Sequence, residues 1–278
     1  MASRRQCLVR LAGLLGTGTS LGALAQSSDT ADAALRAAIA GSHRSQANRA
    51  RDGARHPYET LRFFGVQPHH QVVELAPGAG WYTEILAPYL REHGRLYAAH
   101  YPADSGSEGQ RRSRANYQAK LAATPALYDR VQLGTVPSGP SFTDLAPSGG
   151  ADQVLTFRNL HNWLEDGTLD TRLRAFYAVL RPGGVLGVVD HRAAPGTPLQ
   201  RQQRSGYLDE SLVIERARAT GFVLDARSEI NANALDTRDH PHGVWSLPPS
   251  LQGGAQDRER FLAIGESDRF THRYLKPL

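Results

Sequence analysis

The sequence predicts an α/β fold: a doubly wound, mostly parallel seven-stranded sheet with helices on both faces. Three observations support this prediction. Short apolar segments alternate with longer segments of helical periodicity, which is typical of β-α-β units. Glycine and proline mark the boundaries between these segments. The 278 residues also suffice for one large domain with a full hydrophobic core.

The strands are predicted where a short apolar run meets a turn signal. In chain order they span residues 71–75, 94–100, 129–133, 152–157, 185–189, 222–224 and 269–275. Alanine-rich composition or apolar residues three or four positions apart predict the helices, which span residues 31–40, 58–64, 81–91, 111–123, 168–180 and 209–220. Chemistry is then expected in the loops that follow the strands. The long irregular segments 195–204 and 237–267 are candidates for a rim or lid.

The first 25 residues have the three parts of a secretory signal peptide. Basic residues that include Arg4 and Arg5 precede a short apolar stretch, and small residues form a cleavage site that ends at Ala25. The apolar stretch is too short for a permanent membrane span. The paired arginines leave two export routes open, the general one and the twin-arginine one. We therefore expect a periplasmic or secreted protein whose partners include the export machinery.

Loss of this segment changes the composition. The net charge falls from +5 by three, because three arginines and no acidic residues lie within it. Cys7 and Met1 are the only sulfur-containing residues, so disulfides, thiolate nucleophiles and cysteine metal sites are excluded from the mature chain. No basic stripe interleaved with aromatic residues suggests a nucleic-acid partner. Residues 26–56 are expected to form a helical extension, and 57–278 the main domain.

The segment after the first predicted strand is rich in glycine and opens a helix. Gly78 and Gly80 allow the backbone to approach a ligand closely, and a helix start offers free N–H groups to an anionic group. Glu74 ends the strand, where its carboxylate can accept bonds from a ligand ammonium or hydroxyl group. The alternative is structural: a tight turn in which Glu74 caps backbone amides.

Two further segments occur in order along the chain. F-R-N-L-H-N-W-L follows the fourth predicted strand, and L-R-P-G-G-V-L precedes the fifth. Together with E-L-A-P-G-A-G after the first strand, they resemble the class I S-adenosylmethionine-dependent methyltransferases over about residues 58–224. The Arg-Asn pair is similar to the ubiquinone and menaquinone C-methyltransferase branch. The combination with a signal peptide resembles a group of exported predicted methyltransferases of bacteria.

The resemblance implies a Rossmann-like methyltransferase fold in the main domain, S-adenosyl-L-methionine as cofactor and a small-molecule acceptor. It also implies a cofactor pocket at the ends of the first, second and fourth strands. The residues of this pocket would be Glu74, Ala76, Gly78, Gly80, Tyr82, His100, Arg158, Asn159 and Leu160.

The sequence departs from the family pattern in three places. Ala76 replaces the first glycine of the loop. The second strand ends at His100, where the family has an acid that binds the ribose hydroxyls; Asp104 is the nearest substitute. After the third strand the nearest acid, Asp144, is distant along the chain. A family member that has lost its cofactor would show the same departures.

Two residues are candidates for catalysis. His161 follows the fourth strand, where a general base could reach a substrate. Asp190 follows the fifth strand, where it could orient a substrate or form a structural ion pair. The alternative for His161 is a half-buried histidine at a helix start. No metal site is expected, since the loop histidines His240 and His242 lack the helical spacing of metalloprotease ligands.

The leading hypothesis is a methyltransferase acting on an unidentified small acceptor in the periplasm. The alternative is a non-catalytic periplasmic protein that binds a small ligand on the same fold. A lyase or isomerase in the same pocket is a third possibility, and it would depend on His161 or Asp190 without S-adenosylmethionine. The sequence lacks the G-x-S-x-G elbow of α/β-hydrolases and the P-loop of NTPases.

Overall fold

The computed structural model describes residues 20–142 and 144–278, with side chains from Asp29 onward. The predicted signal segment thus lies outside the described residues except for 20–25, whose backbone belongs to α1. The helices are α1 (Ser20–Ala40), α2 (Gln46–Arg49), α3 (Asp52–Arg55), α4 (Pro57–Phe64), α5 (Thr83–Leu90), α6 (Glu108–Ala123), α7 (Pro125–Tyr128), α8 (Leu160–Glu165), α9 (Leu169–Val179), α10 (Leu199–Ser205), α11 (Glu210–Thr220) and α12 (Arg258–Ile264). The strands are β1 (Gln71–Leu75), β2 (Arg95–His100), β3 (Gln132–Thr135), β4 (Ala151–Phe157), β5 (Leu180–His191), β6 (Val223–Ser228) and β7 (Arg269–Leu275).

The seven strands form one sheet in the order β3-β2-β1-β4-β5-β7-β6. The first five strands run parallel, and β7 pairs antiparallel with both β5 and β6. This confirms the predicted doubly wound, mostly parallel sheet. The strand order reverses between β1 and β4, so the connections that leave these two strands diverge to opposite sides.

Helices cover both faces of the sheet because the side chains of each strand alternate between them. On one face, Val72 of β1 packs with apolar residues of α1, α4 and α5. On the other face, Val73 and Leu75 pack with residues of α8, α9 and α11. The two clusters of buried residues enclose the central strands, as a parallel sheet requires.

The N-terminal helices pack over the first β-α unit. Leu35 of α1 is fully buried, and the Arg44 guanidinium donates two hydrogen bonds of 2.7 Å to Asp52. The indole N–H of Trp81 donates to the backbone carbonyl of Asn48 at 2.9 Å. The last of these contacts brings α2 against the segment that follows β1. Among the helices of the described range, none combines the length and apolar character that a bilayer span requires.

Strands β1 and β7 have their predicted ranges, and two of the other strands, β3 and β5, begin far from their predicted starts. The third was predicted from residue 129, but Asp129 caps α7, where its N–H donates to the Pro125 carbonyl at 2.9 Å, and β3 begins at Gln132. The fifth was predicted from residue 185, but β5 begins at Leu180, which pairs with Ala151. Residues 182–184 therefore belong to β5, and the Gly183 N–H donates to the carbonyl of Lys276, directly after β7, at 2.8 Å.

Gly187→Ala tests the packing of α4 on β5. A Cβ at this position would lie 2.8 Å from both Leu155 and Phe64. We expect the substitution to lower the free energy of unfolding by about 1–3 kcal/mol, because overpacking forces neighbouring side chains to move. Urea denaturation measures the change. Gly106→Ala is the control, since no atom lies within 4 Å of its added Cβ. Equal losses in the two variants would contradict this packing.

Candidate functional site

A cavity of about 240 Å³ lies at the carboxyl ends of β1 and β4, where the strand order reverses. Its wall is formed by the loop after β1, the segment after β4, the start of the helix that follows the loop, and residues of the N-terminal helices. We call it the loop cavity. This is the position at which open α/β sheets bind their ligands.

The backbone of the loop after β1 is left-handed at alternate positions. Ala76 has φ 43° and Gly78 has φ 58°. For alanine this conformation costs roughly 1–2 kcal/mol, and a 2.7 Å hydrogen bond from the Ala76 N–H to the Ala99 carbonyl holds it. A Cβ on Gly78 would have no atom within 4 Å, so this position is open. Gly80 differs, because a Cβ there would lie 3.0 Å from the ring of Tyr117, and it is not part of the cavity wall.

Glu74 contributes a buried carboxyl group to the cavity wall. The hydroxyl of Thr83 donates to it at 2.6 Å. Burial raises the pKa of Glu74 to about 7, although the Thr83 hydroxyl and Lys120 oppose the rise. Near neutral pH the carboxyl is therefore available both as an acceptor and, when protonated, as a donor. Thr83 engages Glu74 through its backbone N–H as well as its hydroxyl, so Glu74 caps a backbone amide in part, as the structural alternative required.

Three predicted residues line the opposite part of the wall. The ring of Tyr82 stacks on Phe157, with centroids 3.5 Å apart and an angle of 12° between the planes. The Asn159 amide donates to the Leu75 carbonyl at 3.1 Å, which ties the ends of β1 and β4 together. Arg158 is half-buried and has a left-handed backbone, with φ 63°. The structure thus brings Glu74, Ala76, Gly78, Tyr82, Arg158 and Asn159 to one cavity.

His100 and Leu160 lie outside this wall, in contrast to the predicted pocket. His100 is fully buried beneath the loop. Its Nδ1 accepts a 2.8 Å hydrogen bond from the Tyr101 N–H, so the ring proton lies on Nε2, which donates to the Gly78 carbonyl at 3.1 Å. Leu160 belongs to the hydrophobic core. Asp144, distant in the sequence, accepts a 3.4 Å hydrogen bond from the Thr135 N–H at the end of β3.

A second cavity, of about 180 Å³, adjoins the first. His161, His191, Trp245 and the segment 248–250 line it, and Arg158 belongs to the walls of both cavities. We call it the histidine cavity. Part of the predicted rim segment 237–267 therefore lies at the site. Arg158 therefore separates the two cavities, and a ligand in either one would lie beside this residue.

The two residues predicted to be catalytic are in direct contact. Asp190 Oδ1 lies 2.9 Å from His161 Nδ1, and both side chains are buried. Asp190 also accepts backbone N–H bonds from Leu160 at 2.7 Å and from His191 at 2.8 Å. These donors hold the carboxylate in place, so His161 carries its proton on Nδ1 and retains Nε2 as a proton acceptor.

His161, Asp190 and His191 place their ligand-type atoms within 4.8 Å of one another, a grouping that could hold a metal ion. The hydrogen bonds favour another arrangement. Three donors already engage Asp190, and His191 Nδ1 lies 2.6 Å from the Ser267 hydroxyl. Burial and the neighbouring His161 lower the pKa of His191 well below its usual range. The group therefore fits a neutral histidine beside a His-Asp pair.

The other histidine cluster of the sequence does not assemble as a metal centre within the described residues. His240 is buried, and its Nε2 lies 2.8 Å from Asp236. Asp236 also accepts from the Tyr207 hydroxyl at 2.9 Å and from the Asp268 N–H at 2.8 Å. These groups form a structural network.

Sequence reasoning missed a group of arginines beside the loop cavity. Glu266 lies 2.7 Å from Arg51, 3.2 Å from Arg55 and 3.0 Å from Arg269. Burial alone would raise the pKa of Glu266, but Arg55 and the other arginines hold it at about 2. The Arg-rich composition of residues 42–55 was the available signal. It did not indicate a partner more than 200 residues away.

No family model matches the chain, and no curated protein matches it either. Solved structures are similar in fold. A SAM-dependent methyltransferase from Aquifex aeolicus is 17% identical over 66% of this chain and 87% of its own, with a TM-score of 0.51. The [4+2]-cyclase SpnF is 18% identical over 90% and 95%, with a TM-score of 0.54. The glycopeptide N-methyltransferase MtfA, complexed with sinefungin, is 17% identical over 82% and 87%, with a TM-score of 0.50. At these identities the likeness shows a shared Rossmann-like fold.

Glu266→Gln tests the ion cluster. Its folded pKa of about 2 lies below the ordinary 4.5, so its stabilisation is present above pH 4.5 and is lost as the pH falls towards 2. The shift corresponds to about 3 kcal/mol. We expect Glu266→Gln to be less stable by this order at pH 7, with a flatter decline between pH 5 and pH 2.

Chemical denaturation at a series of pH values measures both effects. Glu259→Gln, at an exposed position of α12, is the matched control and is expected to follow the parent protein. A Glu266→Gln profile parallel to that of the parent would contradict the assigned role of the cluster.

Proposed function

We propose that the protein is an S-adenosylmethionine-dependent methyltransferase that acts on a small molecule. One observation supports this most strongly: two adjoining cavities meet at Arg158, one built on the glycine loop and the other on the His161–Asp190 pair. A group-transfer enzyme that positions a donor and an acceptor needs two such neighbouring sites. The fold shared with solved methyltransferases is consistent with the proposal.

The loop cavity fits the cofactor at its amino-acid end. The open backbone at Gly78 would allow close contact, and the Glu74 carboxyl would accept hydrogen bonds from the cofactor ammonium group. Ala76 and Asn159 would complete the contact surface. When bound, S-adenosylmethionine supplies an electrophilic methyl group.

The residues of the histidine cavity would act on the acceptor. His161 Nε2 would take a proton from an acidic O–H, N–H or C–H group, while Asp190 fixes the tautomer and stabilises the imidazolium. Trp245, whose ring lies 5.9 Å from that of His161, would limit the access of water. Most of the rate enhancement would come from positioning.

A non-catalytic ligand-binding protein is the second candidate. It is favoured by the position of His100, which is tied to the loop backbone and offers no acid for ribose hydroxyls. A different reaction on the His161–Asp190 pair is the third, and the [4+2]-cyclase SpnF has a similar fold. The second and third candidate functions differ from methyl transfer because neither requires S-adenosylmethionine.

Gly78→Val tests the cofactor site. We expect S-adenosylmethionine and S-adenosylhomocysteine to bind the purified protein with micromolar affinity in calorimetric titration. Valine at φ 58° is strained, and its side chain would enter the open side of the loop. The substitution should therefore weaken binding by more than about tenfold, or 1.4 kcal/mol.

Gly106→Val, at an exposed and unobstructed position, is the control for adding the same side chain. Mass spectrometry of the purified protein should precede the titration, to detect cofactor carried through purification. Absence of binding to a folded protein would reject the methyltransferase and favour the second candidate.

The proposal includes export to the periplasm through the N-terminal signal. Fractionation of expressing cells is expected to recover a periplasmic chain that begins at Gln26. Replacement of Arg4 and Arg5 by lysine should retain the precursor in the cytoplasm if the twin-arginine route is used, and should leave export unchanged if it is not. An unprocessed cytoplasmic chain in the parent strain would contradict export by either route.

A further inference from the structure

The wall of the loop cavity carries an excess of positive charge. Arg51, Arg55 and Arg158 line it, and Arg269 is buried in the same ion cluster. Across residues 20–142 and 144–278, Glu266 is the one carboxylate that forms ion pairs with this group. Three of the four guanidinium groups thus share Glu266 as their ion-pair partner, while Arg158 lies near Glu266 and Asp190 without pairing with either. Glu74, in the same wall, is only partly ionised at neutral pH because burial raises its pKa to about 7, so positive charge remains in excess. Such an arrangement is favourable when a ligand supplies further negative charge.

Arg55 has hydrogen-bonding capacity that the described protein does not use. Its side chain is 5% exposed, and its Nη2 is buried without a hydrogen-bond partner. Trp81 fixes the guanidinium, which lies 4.7 Å from the centre of the indole ring. Burial and the neighbouring Arg158 lower the pKa of Arg55 to about 9. A buried donor without a partner is costly, and an oxyanion in the cavity would satisfy it.

Arg158 stands where the two cavities meet. Its strained backbone, with φ 63°, is held by a 2.7 Å hydrogen bond from its N–H to the Val189 carbonyl. Backbone strain of this kind persists only where the surrounding fold holds the residue in place, and strained residues are concentrated at functional sites. Within the described chain, the Arg158 guanidinium forms no ion pair, and Glu266 and Asp190 act on it only through space.

We propose that the acceptor is an organic anion whose carboxylate is bound by Arg55 and Arg158, with its reacting atom beside His161. This inference rests on the proposed function. A planar carboxylate matches the fork of donors that a guanidinium presents. The site at the junction places the acceptor against both the loop cavity and the His161–Asp190 pair. Because S-adenosylmethionine carries a sulfonium cation, a bound anion would also strengthen its binding.

Matched carboxylate and amide probes test the charge requirement. Acetate, benzoate and salicylate are titrated into the purified full chain beside acetamide, benzamide and salicylamide, at constant ionic strength. We expect at least one carboxylate to bind at least tenfold more tightly than its amide. If no carboxylate is preferred over its amide, the proposal is overturned, and this contrast needs no mutation.

Substitutions then assign the site. Arg158→Gln should lower the affinity for the carboxylate at least tenfold. Arg158→Lys keeps the charge and should lower the affinity less. Arg112→Gln removes an exposed arginine on α6 and should change nothing. Carboxylate affinity unchanged by Arg158→Gln, in a variant that remains folded, would reject the assignment.

Nucleoside ligands distinguish the source of the carboxylate. S-adenosylhomocysteine has an amino-acid carboxylate, and 5′-methylthioadenosine lacks it. If Arg158→Gln weakens only S-adenosylhomocysteine and no small carboxylate binds, the arginines serve the cofactor and the anionic acceptor is rejected. If small carboxylates bind and neither nucleoside does, the anion site stands and the proposed methyl transfer fails. Stronger binding of S-adenosylmethionine in the presence of the bound carboxylate would support both.

Discussion

The reversal of strand order between β1 and β4 is the constraint on which the site depends. Because the connections from these strands diverge, their carboxyl ends leave a gap that no crossover helix fills. The loop after β1 and the segment after β4 form the two sides of this gap. Asn159 limits its width, since its amide joins the end of one strand to the other at Leu75. The position of the loop cavity therefore follows from the order of the strands in the sheet.

A single buried carboxylate organises the neighbouring cavity. Asp190, at the end of β5, accepts hydrogen bonds from the first backbone N–H of α8 and from Nδ1 of His161. The same group therefore begins the helix and orients the histidine on it. The cost of burying this charge is offset by three short hydrogen bonds. Glu266 has a comparable role among the arginines, but there one carboxylate faces several cations.

The fold could be predicted from the sequence because its signals are local. The alternation of short apolar runs with helical spacing located the strands in chain order, and β1 and β7 have their predicted bounds. The boundary of β3 was less predictable, since Asp129, the first residue of the predicted strand, caps the short helix α7. Helix α8 spans six residues, which is too few for a periodic signal.

The site was only partly predictable, because its electrostatics depend on residues far apart in the chain. The loop residues and His161 follow strands, so their placement at the carboxyl edge came from the fold alone. The contact of Arg51 and Arg55 with Glu266 spans 215 and 211 residues. No local pattern encodes which loops meet in space. Asp144 shows the same limit: it follows β3 by nine residues, yet a backbone N–H of that strand reaches it.

Two departures from the methyltransferase pattern, at Ala76 and His100, are linked in the structure. Both positions bind the loop to the end of β2: the Ala76 N–H donates to the Ala99 carbonyl at 2.7 Å, and His100 donates to the Gly78 carbonyl at 3.1 Å. His100 binds the loop backbone instead of offering a group to a ligand. The hydrogen bonds that fix the loop stabilise Ala76 in a conformation that glycine adopts more readily. A loop fixed in this way is already ordered, so it would lose less conformational entropy when a ligand binds. The missing acid would remove one contact with the proposed cofactor, but the hydrogen bonds that fix the loop would lower the entropy cost of the other contacts. The two substitutions together are therefore compatible with the proposed cofactor site.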